Sequence, residues 1–355
     1  MPEEHPSDVK SEAGLTYKEA GVDIDAQDQA LEGAKPAIRK SFTAGVLGDV
    51  GLFGGLFDPT KLGFDNAILV ASADGVGTKL EVAKMAGVHR TVGRDLVQHC
   101  INDILVQGAR PLFFMDYAAM GKLEPAIVSE LVSGAADACA ANGLALLGGE
   151  TAEMPGLYKE GDFELVGFIV GAVQREHLID GSRVRPGQVL LGLRSAGLHT
   201  NGYTLARRIL FGELGLGIDD RPDELGGATV AEALLAEHRS YLELLWPLVE
   251  AGRVAAMAHI TGGGIPGNLN RVLGECDARV DPGSWEPQPL FELLVRGGRL
   301  DPAEAFRAFN MGIGMILVVD EDEVAPVTES LAARGEEVLR IGSTTPGRGL
   351  VHLSA

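Results

Sequence analysis

Asp74, Gly75, Gly77 and Lys79 lie together in the segment ASADGVGTKL, directly after the apolar run from Asn66 to Ala71. A β-like run that ends in an acid, two glycines and a lysine has the parts of a polyphosphate site. The glycines let backbone amides approach a phosphate, the lysine adds a point charge, and the carboxylate can hold the Mg²⁺ that travels with a nucleotide. The spacing is not that of a Walker A loop, which separates its glycine from Gly-Lys by four residues. Gly and Asp are also ordinary turn residues, so a strand-end turn with surface charges fits the same letters.

Two further segments can add to this chemistry. In GRDLVQHCINDILVQGAR, Asp95, His99, Asp103 and Gln107 follow one another at four-residue spacing and share one helix face, which is either a solvated face or one wall of a site. In LLGGETAEMPG, a strand Leu144 to Leu147 is expected to run into a turn of Gly148, Gly149, Glu150 and Thr151. Asp74, Asp103 and Glu150, with Asp65 just before the first strand, make an oxygen-rich set suited to Mg²⁺ shared with nucleotide phosphates. The set contains no thiolate, which disfavours a transition metal.

The second half of the chain carries SAGLHTNGYTLARRIL and ITGGGIPGNLNRVL. Ser195, His199, Thr200 and Asn201 open a helix, where free amides and the dipole favour an anion and where the same residues also serve as caps. Gly262, Gly264 and Gly267 formally satisfy GxGxxG. Pro266 removes a donor from that loop, and the motif lies late in the chain, so a phosphate-contacting helix start fits better than a dinucleotide fold.

Composition bounds what these residues can serve. The 355 residues suffice for two domains, 46% of them are apolar, and the net charge of −20 opposes non-specific binding to nucleic acid or anionic membranes. Cys100, Cys139 and Cys276 form no metal-binding spacing and read as small buried hydrophobes. The polar, acidic start lacks a signal-peptide core, and no apolar run approaches the ~20 residues of a membrane span, so a cytoplasmic protein is expected.

Residues 1–14 read as a disordered tail, and Tyr17 to Phe57 as a glycine-rich arm or mobile loop. Periodicity then gives strands at Asn66–Ser72, Leu112–Ala118, Leu144–Leu147 and Phe163–Val173, and helices at Gly93–Gln107 and Glu124–Ala141. The polar, proline-bearing stretch Gln174–Gly187 marks a boundary between a 15–173 and a 174–355 domain. Beyond it the pattern gives strands at Val189–Arg194, Val254–Ile260, Ile313–Val319 and Glu337–Ile341. Helices are expected near Tyr203–Leu210, Val230–Glu237, Tyr241–Val249, Asn268–Leu273 and Glu323–Ala333.

Taken in order, YKEAGVDIDA, SADGVGTKL, GRDLVQHCINDILVQGARPLFFMDY, GGETAEMPGLY, GLHTNGYTLARRIL, AHITGGGIPGNLNRV and FNMGIGMILVV resemble the phosphoribosylformylglycinamidine cyclo-ligase (aminoimidazole ribonucleotide synthetase) family of purine biosynthesis. The resemblance runs from about Leu15 onward. It implies a two-domain α/β fold of the aminoimidazole ribonucleotide synthetase-like superfamily, a homodimer whose N-terminal sheets join in a barrel-like interface, and ATP-dependent ring closure of formylglycinamidine ribonucleotide. By motif, Asp74, Gly75, Gly77, Thr78, Lys79, Asp103, Gly148 and Gly149 would bind ATP phosphates. Asp65, Asp74, Asp103 and Glu150 would hold Mg²⁺, and His199, Thr200, Asn201, Gly262, Gly263, Gly264 and Asn268 would meet the substrate. Lys79 and His199 are the catalytic candidates. After the glycine triplet, family members read an acid-Asn-Ile-Pro run where this chain has Gly267-Asn268-Leu269-Asn270. A small-molecule kinase or a selenophosphate synthetase of the same superfamily is the alternative, although the latter is expected to carry a reactive cysteine near its N-terminus and the first cysteine here is Cys100.

Overall fold

The computed structural model describes residues 66–354 continuously, together with residues 14, 16, 47, 55–58 and 60. Most of the expected tail and of the Tyr17–Phe57 segment, and Asp65 itself, lie outside the described residues.

The first half builds a five-stranded sheet from β1 (Gly55–Phe57), β2 (Ile68–Gly75), β3 (Arg110–Met120), β4 (Ala145–Glu153) and β5 (Phe163–Val173), in the order β1-β2-β5-β3-β4. Only the β3/β4 pair is parallel. Alternation along β5 sends Phe163, Leu165, Ile169 and Val173 to the buried side. There α2 (Arg90–Leu105) and α3 (Pro125–Ala141) cover the sheet, and the short α1 (Lys79–Ala86) packs beside α2. Helix α2 is buried along nearly its whole length, with Leu96, Val97, Cys100, Ile101, Ile104 and Leu105 sealed from solvent. Close approach of α2 and α3 requires glycine at the crossing. A Cβ on Gly93 would stand 2.1 Å from the Leu131 carbonyl oxygen, and one on Gly134 would stand 2.0 Å from that of Arg90.

The second half forms a six-stranded sheet in the order β11-β8-β10-β6-β9-β7. Its strands are β6 (Val189–Arg194), β7 (Ala256–His259), β8 (Cys276–Val280), β9 (Ile313–Val319), β10 (Val338–Pro346) and β11 (Val351–Leu353). The central strands β6 and β9 are near-continuous apolar runs because both of their faces are covered. Helices α4 (Tyr203–Arg207), α5 (Val230–Leu234), α6 (Leu242–Glu250), α7 (Gly264–Leu269), α8 (Pro289–Gly298), α9 (Pro302–Ala308) and α10 (Val324–Ala332) complete this half.

Phe163–Val173, Val189–Arg194 and Ile313–Val319 have the bounds their patterns predict. Three differences bear on the site. The strand expected to stop at Leu147 continues to Glu153, so Gly148, Gly149 and Glu150 are strand residues paired to β3 rather than a terminal turn. The helix expected from Asn268 begins at Gly264, because the glycine loop itself winds into the first turn. Lys79 opens α1, a helix the periodicity did not reveal.

Candidate active site

Asp95, His99, Asp103 and Gln107 do share one face of α2, but that face meets protein: each is at most 5% exposed. It is turned toward the second half of the chain. Asn102, beside this row, accepts from the Tyr241 backbone N–H (3.0 Å) and donates to the Arg239 carbonyl (2.7 Å). A buried polar group must find partners, and this helix finds them on segments 100 or more residues away.

Lys79 is held in the same layer. Its Nζ pairs with Asp95 Oδ2 at 2.6 Å and donates to the carbonyls of His199 (3.0 Å) and Ala236 (2.8 Å). An ammonium has three donors, and these partners take all of them. Asp95 also accepts from the His238 backbone N–H at 2.6 Å. Burial raises the Asp95 carboxyl above its ordinary value although the Lys79 charge pulls the other way. The point charge expected to face a phosphate is thus committed to joining the two halves.

Above this layer, Asp74 is the penultimate residue of β2 with its side chain 44% exposed, and its Oδ2 lies 2.7 Å from His99 Nε2. His99 Nδ1 meets Thr200 Oγ1 at 2.7 Å. Asp103 Oδ1 accepts from His259 Nδ1 at 2.8 Å. Burial disfavours a charged His99, yet the carboxylates of Asp74 and Asp103 outweigh it and raise the imidazole well above its usual range. Burial would also raise Asp103, but the His99 charge and the hydrogen bonds from His259 and His99 hold its carboxyl far below the normal range. His238 and His199 are pushed well below theirs, first by burial and then by neighbouring histidine charge.

His199 adopts φ +59°, the left-handed region that non-glycine residues rarely occupy. The conformation is over-determined. Its Nε2 accepts from the Ala196 N–H at 3.0 Å, its ring stacks on His238 at a centroid distance of 4.1 Å, and its carbonyl accepts from Lys79 and from the Tyr203 hydroxyl. Strain of this kind concentrates at functional sites.

Three glycine-bearing segments meet at this place. A Cβ on Gly77 would lie 3.8 Å from the Thr200 carbonyl oxygen, and one on Gly262 would lie 3.4 Å from Asn201 Oδ1. Thr78 Oγ1 is 3.0 Å from Thr204 Oγ1. The DGVGT turn, the Leu198–Asn201 stretch and the Gly262–Gly264 loop therefore lie side by side. Asn268 lies beneath the loop and staples it, accepting from Thr261 Oγ1 (3.0 Å) and donating to the carbonyls of Thr261, Gly262 and Gly264 at 2.8–3.2 Å.

Glu150 is not brought to this cluster. Across the sheet Asp74 registers with Gly167, Gly167 with Asp116, and Asp116 with Gly149, whereas Glu150 belongs to the adjacent row through Tyr117, Val166 and Gly75. Adjacent rows point to opposite faces, and three strand spacings amount to about 14 Å. Glu150 therefore lies on the side away from α2, in a groove shared with Met115, Tyr117 and Phe168. Magnesium asks for an octahedron of oxygens. Here Asp103 is engaged by imidazoles and Glu150 faces the other way, so among the described residues Asp74, Asp103 and Glu150 do not assemble an oxygen cage.

His238 and His259 were not singled out from the sequence. His259 is the last residue of β7, in the segment AHITGGG just before the glycine loop, a position that could draw notice; nothing local to His238 signals its role.

Residues 60–173 match the family model described as AIR synthase related protein, N-terminal domain, and residues 185–353 match its C-terminal domain. The phosphoribosylformylglycinamidine cyclo-ligase of Desulfitobacterium hafniense (strain DSM 10664 / DCB-2) is 46% identical over 333 residues, spanning 94% of this chain and 97% of that protein. That of Geotalea uraniireducens (strain Rf4) is 45% identical, spanning 94% and 95%. Among solved structures, a thiamine-monophosphate kinase from Stenotrophomonas maltophilia K279a has a TM-score of 0.63 at 18% identity, covering 92% of this chain and 96% of that one, a likeness of fold alone.

Proposed function

The chain belongs to the AIR synthase related family, within it to the phosphoribosylformylglycinamidine cyclo-ligases, and from that premise we propose that it binds ATP and formylglycinamidine ribonucleotide and closes the imidazole ring. An amide oxygen is a poor leaving group. ATP phosphorylates the formyl oxygen to give an iminophosphate and ADP, an amidine nitrogen attacks the activated carbon, and the C–O bond breaks with release of phosphate.

In this reading Gly75, Gly77 and Thr78 face nucleotide phosphates, and His199, Thr200, Asn201 and Gly262–Gly264 face the ribonucleotide. Catalysis rests on positioning and charge stabilisation, as in phosphoryl transfer generally. Lys79 acts by holding the carbonyl of His199 in place. Asp74, the solvent-facing carboxylate of the cluster, would help to hold the Mg²⁺ that accompanies ATP, which would supply positive charge to the phosphates. The observation that carries the reading is the meeting of three glycine-bearing segments from both halves side by side.

Two further elements belong to it. The first-sheet face away from α2 exposes Met115 and Phe168, which pair across β3 and β5, with Leu112 and Leu147 nearby. An apolar patch on a sheet face marks an interface, and a homodimer through this face fits it. No helix among the described residues is long and apolar enough to cross a membrane, in keeping with a cytoplasmic enzyme of two domains divided near residue 174.

The test is ATP consumption, read separately as ADP, AMP and free phosphate, with formylglycinamidine ribonucleotide, thiamine monophosphate and selenide offered in turn. Turnover with the first alone is expected. Turnover with another acceptor and none with the first would overturn the assignment.

A further inference from the structure

His238 is fully buried on the segment that follows α5 and has no part in the proposed ring closure, yet it is held from several sides. Its backbone N–H donates at 2.6 Å to Asp95, the carboxylate that pairs with Lys79. Its ring stacks on His199 with centroids 4.1 Å apart. Its two nitrogens face different partners. Nε2 lies 3.1 Å from Asn102 Nδ2 and 3.1 Å from His259 Nε2, and Nδ1 lies 3.3 Å from Thr200 Oγ1.

Counting donors and acceptors locates the proton on this ring. Asn102 Oδ1 accepts from the Tyr241 N–H at 3.0 Å and Nδ2 donates to the Arg239 carbonyl at 2.7 Å, so turning the amide over would set like against like at both contacts. The atom 3.1 Å from His238 Nε2 is therefore an amide nitrogen, which only donates, and Nε2 must offer its lone pair. Burial, and then the charge of neighbouring histidines, holds the ring neutral, so its single proton lies on Nδ1 and faces Thr200 Oγ1. Asn102 of α2 thus dictates, through one ring, the direction of a hydrogen bond to Thr200.

We propose that His238 is a positioning residue for the ring closure: its Nδ1–H fixes the Thr200 hydroxyl and its face fixes the His199 ring, so that the His199–Asn201 turn is set before the ribonucleotide binds. The inference rests on the reading of that turn as the ribonucleotide side. Thr200 Oγ1 also lies 2.7 Å from His99 Nδ1, so the hydroxyl is held between two rings, one from each half of the chain. A side chain left free samples several rotamers, and fixing it in advance removes that cost from binding. The left-handed backbone of His199 makes the same demand, since such a conformation persists only where its surroundings hold it.

The experiment uses the full-length protein. A neutron diffraction map of deuterium-exchanged wild-type crystals should show a deuteron on His238 Nδ1 and none on Nε2. His238→Phe keeps a stacking ring and removes the Nδ1–H. KM for formylglycinamidine ribonucleotide should then rise about 3- to 10-fold, the worth of one hydrogen bond, while KM for ATP stays within about twofold. His238→Asn, whose side-chain amide can still donate toward Thr200, should recover most of that loss. Thr200→Val should raise the same KM by itself, and adding His238→Phe should raise it little further, because the two residues act through one bond. The map needs no variant, so a His238→Phe protein that fails to fold still leaves the proton placement tested. A deuteron on Nε2, equal rises in both KM values, additive effects of the two substitutions, or no change in a folded His238→Phe protein would overturn the positioning role. Absence of wild-type turnover would instead remove the ribonucleotide reading, and the map would still decide where the proton lies.

Discussion

Lys79 Nζ stands 2.6 Å from Asp95 Oδ2 with both side chains fully buried. Removing one partner of such a pair leaves an uncompensated charge, at a cost of about 3–5 kcal/mol. Lys79→Met should therefore lower the unfolding free energy by that order. Combining it with Asp95→Leu should recover much of the loss, since the pair as a whole contributes less than its halves. Denaturant titration of the two single variants and the double variant measures this coupling. Additive losses would mean that the two residues do not act as a pair.

Asn268→Ala removes the staple of the glycine loop. Orphaned loop carbonyls and lost hydrogen bonds should cost about 1–3 kcal/mol. Because the loop lines the proposed ribonucleotide side of the site, KM for that substrate should rise more than KM for ATP. Steady-state kinetics with each substrate varied in turn checks the split.

Phe168→Glu places a charge on the exposed apolar face of the first sheet. The proposed dimer should dissociate to monomers, read by light scattering, while a like change at the exposed Leu350, far from that sheet in sequence, should leave the mass unchanged.

Asp277 anchors the C-terminal segment by accepting from His352 (3.0 Å) and from the backbone N–H groups of Arg348 and Leu350. Chiefly the His352 hydrogen bond, then the two backbone bonds, lower its carboxyl to about 2. A lowered acid stabilises the fold above its unfolded value of about 3.9 and loses that contribution as pH falls through its folded value. Amide exchange in residues 347–354 should accordingly quicken, relative to β9, between about pH 4 and about pH 2. Asp277→Asn should abolish that pH dependence.

Much of the framework could be read from the sequence. The strands at Phe163, Val189 and Ile313 announce themselves because buried β runs are short, apolar and bounded by turn residues. Helix α2 is legible from its stripe, but periodicity says only which residues share a face. It cannot say that the face of Asp95, His99 and Asp103 meets protein, since the partners lie in segments that only the fold brings near. Glu150 was misplaced for a related reason. A glycine pair after an apolar run reads as a turn, whereas β3 supplies a parallel neighbour that carries the strand onward and reverses the side on which Glu150 stands. Helices α8 and α9 carry legible signals of their own, a proline in the first turn of each and an aspartate cap at Asp301.

The polar row along α2 also governs how the molecule comes apart. Neither half alone can satisfy Lys79, Asp95, Asn102 and Asp103, because each completes its bonds with atoms of the other. Loosening one sheet leaves buried charge unmatched in the remainder, so partial melting is penalised from both sides. The two sheets, which also share one continuous apolar core, thereby unfold as one cooperative unit, and the halves expressed apart would each carry a seam built for a missing neighbour.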